Sequence, residues 1–154
     1  MAIEAWRALL GAHATATDRI EAMLADASLP SLAWYDVLWT IYRSPDKQLR
    51  HFELADEMVM SRSGLSRMID RIQAAGLIER RSCPSDRRGQ HLAVTEAGQE
   101  MLRKMWPVYE AGITEHFATL VGDDAGVVGE ALRRVEDACR ARAPKCAEAA
   151  SATH

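Results

Sequence analysis

Residues 54–98, LADEMVMSRSGLSRMIDRIQAAGLIERRSCPSDRRGQHLAVTEAG, decide how this chain folds. After Ser61, the apolar residues Leu65, Met68, Ile69 and Ile72 recur at steps of three and four, which predicts a helix with one buried face. Gly76 follows where a helix of this length would end, and a glycine there suits a left-handed cap. Leu77 to Arg81 and Gln90 to Thr95 then read as two short strands around the polar stretch Ser82 to Gly89, which contains Pro84 and Gly89. That pattern is a hairpin with a charged tip. Thr95, with Glu96, Ala97 and Gly98 behind it, opens a further helix through Leu102 and Tyr109 to about Phe117, with a kink expected at Pro107. On the other side, Leu49 to Met58 reads as a short helix leading into the one at Ser61.

Farther out the chain is helical. Ile3, Trp6, Leu10, His13, Thr17, Ile20 and Leu24 share one side of a first helix, and Ser31 is placed to cap a second that ends near Arg43 before Ser44 and Pro45. A last helix begins near Asp123 with Val128, Leu132, Val135 and Cys139 on one stripe, and an alanine-rich tail follows Pro144. The 154 residues suit one domain with one core. The order of elements predicts a mainly α fold with a small two-stranded β wing, a winged helix-turn-helix whose terminal helices form a dimerisation region. Residues 31–106 are expected to form the DNA-binding region, residues 1–30 and 107–146 the helical dimerisation region, and residues 147–154 a frayed tail. The apolar stripes outside the central unit need cover, and a two-fold dimer would supply it while setting two recognition helices about 34 Å apart.

Composition narrows the classes of function. With 48% hydrophobic and 27% charged residues, the chain has enough apolar surface to fold. No apolar run approaches the roughly 20 residues that span a bilayer, and the start of the chain does not read as a signal peptide, so no membrane partner and a cytoplasmic location are expected. Cys83, Cys139 and Cys146 are an odd set without ligand spacing, and His51, His91 and His116 show none either, so neither a disulfide framework nor a metal site is expected. There is no glycine-rich phosphate loop, nucleophile elbow or pair of carboxylates set for acid–base work. An enzyme is not expected, and no cofactor.

The net charge of −3 looks unfavourable for nucleic acid until it is divided along the chain. Between Ser61 and His91 seven arginines face three carboxylates, a local balance of +4, which leaves −7 for the rest. One basic face on an acidic body suits a polyanion such as double-stranded DNA. In a helix-turn-helix the second helix enters the major groove, and Ser61, Arg62, Ser63, Gly64, Ser66 and Arg67 stand at its start. Arginine reads guanine by two parallel hydrogen bonds, and serine hydroxyls suit phosphate oxygens. Gly64 marks a close backbone approach, to DNA or to the preceding helix.

The same segment, residues 54–98, resembles the helix-turn-helix and wing of the MarR (multiple antibiotic resistance regulator) family: SRSGLSRMIDR, GLIERR, PSDRRG and LAVTEAG occur in that family's order and spacing. The resemblance implies a homodimer with interlocked terminal helices that represses by occupying a pseudo-palindromic operator. It further implies that Asp86, Arg87 and Arg88 match the wing's Asp-x-Arg motif, with Arg88 in the minor groove, Asp86 orienting it and Arg87 on phosphate. Many relatives are released by a small aromatic or anionic effector, for which His13, Trp34, Trp39, Arg43, Trp106, Tyr109 and His116 are the expected contacts. Two alternatives stand beside this reading: a winged-helix scaffold that binds protein, and a redox-responsive regulator whose Cys83 thiolate is favoured by the surrounding arginines.

Overall fold

The computed structural model describes residues 1–58, 62–83 and 86–142, with residues 62, 82–83, 86–90 and 142 described by backbone alone. The chain divides into two compact units, Met1–Phe117 and the segment from Ala118 onward. In the first, α1 (Ala2–Asp26) and α2 (Leu32–Arg43) are followed by a 3-10 turn (Pro45–Lys47), β1 (Gln48–Arg50), α3 (His51–Glu57) and α4 (Arg62–Ala74). Then come β2 (Ile78–Cys83), β3 (Asp86–Val94) and α5 (Glu96–Ile113).

The core is built from the apolar faces that the periodicity marks. Leu65, Ile69 and Ile72 of α4 meet Leu54 of α3, Leu38 and Ile41 of α2, and Ile78, Leu92 and Val94 of the sheet, all buried. Leu102 and Met105 of α5 and Ile20 and Leu24 of α1 extend it. The seam expected along α1 therefore divides: Ile20 and Leu24 are core, whereas Ile3, Trp6 and Leu10 stay 72%, 57% and 50% exposed.

The sheet has three strands in the order β1-β3-β2, all antiparallel, rather than the two of a bare hairpin. Leu49, expected to open a helix, sits in β1 opposite Leu92, with Arg50 opposite His91. The cause is the turn before it, where Asp46 and Lys47 take positive φ (60° and 53°) and aim the chain along β3. Pairing with a strand more than forty residues away then overrides local preference. In the hairpin, Ser82 pairs with Gln90 but Cys83 with Asp86, so residues 87–89 form a bulge in β3. Bulges of this kind bend a strand and raise its twist.

Two junctions hold the helices to this sheet. Gly76 has φ +75°, and the backbone N–H groups of Gly76 and Leu77 close the end of α4 onto Gln73 and Ile72. Thr95 caps α5 by accepting from the Gly98 N–H at 3.1 Å and donates its own hydroxyl to the Gly76 carbonyl at 2.7 Å. Gly98 packs so closely on Leu77 that a Cβ there would run into the Leu77 carbonyl oxygen. Ser31 occupies the cap position of α2, but its side chain makes no cap bond; the Leu32 N–H donates instead to the Glu21 carboxylate of α1, at 3.0 Å. α5 continues as one helix through the exposed Pro107 and passes into a π turn, Thr114–Ala118.

In the second unit, α6 (Thr119–Val121) and a 3-10 turn (Gly122–Asp124) lead to α7 (Ala125–Arg142). Glu130 with Arg134 and Glu136 with Arg140 form i,i+4 pairs on its surface, and Leu132, Val135 and Cys139 are exposed. No helix among the described residues is long and apolar enough to cross a membrane.

Candidate nucleic-acid interface and adjoining cavity

α3 and α4 stand as the two helices of a helix-turn-helix, with α4 second. Because Leu65, Ile69 and Ile72 hold one side of α4 in the core, Arg67, Asp70 and Arg71 turn outward. Ser63 and Arg67 are both exposed and four apart, so they neighbour each other on the outer face. Arg67 has no hydrogen-bond or ion-pair partner among the described residues, in contrast to the arginines beside it. Arg80 is bound to Asp70 at 2.9 Å and Arg81 to Glu79 at 2.6 Å, while the Arg71 guanidinium lies 5.9 Å from the Trp34 ring. Ser66, expected at phosphate, is engaged 3.1 Å from His51 Nε2, across the turn between the two helices. Behind it, Arg50 Nε donates to His91 Nε2 at 3.4 Å and ties β1 to β3. Neither His51 nor His91 was expected to take part; each is a lone histidine whose partner is fixed by the tertiary fold.

Gly64 is half-buried on α4. Arg62 opens α4, and Asp86, Arg87 and Arg88 lie on β3, the two arginines within its bulge; for these four the backbone placement is what the structure gives. Cys83 ends β2 on the same terms. Ser61 lies outside the described residues.

The expected ligand residues separate. Trp39, Trp106 and Tyr109 converge on a cavity of about 720 Å³ between α2 and α5, with Tyr35, Asp36, Tyr42, Gln99, Leu102, Arg103 and Ile113 completing its lining. The Tyr35 ring lies between two near-parallel neighbours, 6.4 Å from Trp39 and 6.4 Å from Trp106, and Tyr109 meets it edge-on at 5.1 Å. The others are elsewhere. His13 is exposed on α1, Trp34 faces Arg71, Arg43 is paired with Glu57 at 3.1 Å, and His116 stands in the π turn beside Glu115. The members not foreseen, among them Tyr35, Asp36 and Tyr42 on α2 and Gln99 and Arg103 on α5, share a helical spacing with Trp39, Trp106 and Tyr109 that was there to be read.

The cavity is electrostatically lopsided. Surrounding side chains strip water from the Asp36 carboxyl, though the residue keeps surface exposure, and Glu21 adds like charge; both push its pKa above the ordinary carboxylate value. The phenols of Tyr35 and Tyr109 are pushed up as well, by burial first and then by their charged and phenolic neighbours, including Asp36. Arg103, which also lines the cavity, is held by Glu100 at 2.8 Å.

A helix-turn-helix with an exposed arginine on its second helix that pairs with no described residue, flanked by a three-stranded antiparallel sheet, is the winged helix-turn-helix architecture of transcriptional regulators. Comparison with known proteins gives the family. Residues 30–89 match the MarR family. AbsC, a MarR family transcriptional regulator from Streptomyces coelicolor, is 32% identical, with a TM-score of 0.80 over 90% of this chain and 93% of its own. Sco3205, a MarR family regulator from the same organism solved in complex with DNA, is 28% identical, with a TM-score of 0.78 over 87% of this chain and 84% of its own. The transcriptional repressor MprA of Escherichia coli (strain K12) is 36% identical over 70 residues, which are 46% of this chain and 40% of MprA. The chain belongs to the MarR family, whose members matched here are transcriptional regulators and not enzymes.

Proposed function

We propose that the protein is a homodimeric repressor that seats α4 of each subunit in the major groove of a pseudo-palindromic operator, and that a small ligand entering the cavity between α2 and α5 releases it. The observation that carries the DNA reading is Arg67: an exposed side chain without a hydrogen-bond or ion-pair partner among the described residues, near Ser63 on the outer face of the recognition helix. In this reading Arg62, Arg67 and the serines at the start of α4 read bases and fix phosphates, while Arg88 of the wing enters the minor groove with Asp86 beside it and Arg87 meets phosphate. The DNA complex of Sco3205 supports the docking, and MprA, a repressor, supports the direction of control.

Assembly is argued from exposed apolar surface. Ile3, Trp6 and Leu10 on α1, and Leu132 and Val135 on α7, are each exposed, and a partner subunit would cover them. Residues 1–30 and 107–146 are accordingly assigned to assembly. Release is argued from the connection between cavity and reader, since α5 lines the one and its first turn is tied through Thr95 to Gly76 at the end of α4. A ligand that forces α2 and α5 apart strains that tie.

The test is selection of duplexes by purified protein from a random library, with affinities repeated across salt concentrations. An inverted repeat whose binding weakens steeply with salt is the expected result. Weak binding without sequence preference would remove the operator reading and favour a protein-binding scaffold.

A further inference from the structure

The cavity between α2 and α5 combines ring faces with a carboxylate that no described residue pairs with. Asp36 has no hydrogen-bond or ion-pair partner among the described residues. Arg103 is the cation of the lining, and Glu100 already binds it from one turn away. Glu21 places a second negative charge near Asp36 while its oxygen receives the Leu32 N–H. An anion entering here would meet the Asp36 carboxylate, backed by the charge of Glu21, and an arginine already paired with Glu100. A cation would meet the opposite: an unmatched negative charge, and aromatic faces whose quadrupole attracts positive charge. Trp39 and Trp106 are each 44% exposed, so their indoles are accessible without rearranging the core.

We propose that this cavity binds a flat organic cation, its positive charge set against the Asp36 carboxylate and its rings against Trp39 and Trp106. The inference rests on the ligand-release reading above and fixes the charge class of that ligand. The structure also accounts for the size limit: about 720 Å³ admits a molecule of two or three fused rings and lies in the usual range for small-molecule sites.

Three probes of one shape and different charge separate the outcomes: N-methylquinolinium, neutral quinoline and 1-naphthoate, each titrated into the protein while tryptophan fluorescence is followed and confirmed by calorimetry. N-methylquinolinium should bind at least about tenfold more tightly than 1-naphthoate. Asp36→Asn should erase that preference by weakening the cation and sparing quinoline, Asp36→Glu should keep it, and Trp39→Ala should weaken all three. Preference for 1-naphthoate would overturn the cation assignment and leave the ligand-release reading standing. A cation preference that survives Asp36→Asn would overturn the assignment to this carboxylate. If no probe binds in a Trp39-dependent way, the assignment and the ligand role of the cavity fall together.

Discussion

A methyl group added at Gly98 would press on the Leu77 carbonyl and stand 2.7 Å from Val94 Cγ1. Neither neighbour can swing aside, since one is backbone and the other is packed in the core. Gly98→Ala should therefore destabilise the protein by about 1–3 kcal/mol, read as a lower midpoint of denaturant unfolding. Asp36 gives the converse case, in which a substitution stabilises. Its folded-state pKa is raised, so between the ordinary carboxylate value and the folded one the native state binds more protons than the unfolded state, and stability falls as pH rises through that window. Asp36→Asn should raise Tm at neutral pH, with the gain disappearing in acid below the ordinary carboxylate value; an equal gain at every pH would contradict the assigned cause. Both residues were poorly legible in the sequence, for different reasons. Gly98 lies in a motif whose place in the fold could be read but whose steric reason exists only after α5 meets Leu77. Asp36 is one of 22 acidic residues, and only the packing of α1 and α5 beside it makes it different from the rest.

The helices with long apolar periods, α1, α2, α4 and α5, stand close to where their spacing places them, because burial of one face was their main determinant. β1 could not be read this way. Its three residues have no period, and they form a strand because β3 presents an edge to them after the turn at Asp46 and Lys47. The same limit hid the cavity, which is a product of two helices whose aromatic residues lie more than fifty positions apart. Thr95 is the element-scale junction whose energy can be tested. Its hydroxyl both receives the Gly98 N–H and serves the Gly76 carbonyl, so Thr95→Ala should cost about 1–2 kcal/mol. Hydrogen exchange should quicken in the first turn of α5 and at the end of α4 together. Faster exchange in α5 alone would show that the bridge to Gly76 contributes nothing. On α4, Arg67→Ala should weaken operator binding and reduce the slope of affinity against salt by about one if the side chain meets phosphate, or cost roughly 1–3 kcal/mol at one base position if it reads guanine.

At the scale of the molecule, the acidic body and the basic segment between Ser61 and His91 divide two tasks between two surfaces. In the proposed docking the basic segment supplies the attraction to DNA, and the acidic remainder limits indiscriminate binding. Replacing Trp6 and Leu10 together by glutamate should leave the fold intact, because both are exposed, and should convert the proposed dimer to monomers in sedimentation experiments. Operator affinity should fall with it, since one recognition helix would then bind without the other; a dimer that persists would move the interface away from α1. The junction at Thr95 also bears on how such proteins can be recombined. A graft that exchanged the specificity of two regulators by moving residues 62–83 alone would cut between Gly76 and the hydroxyl that serves its carbonyl, and would leave Leu77 facing a foreign residue at position 98. Chimeras joined after Gly98 should therefore be more stable than those joined before Thr95, by about the 1–2 kcal/mol that the cap contributes.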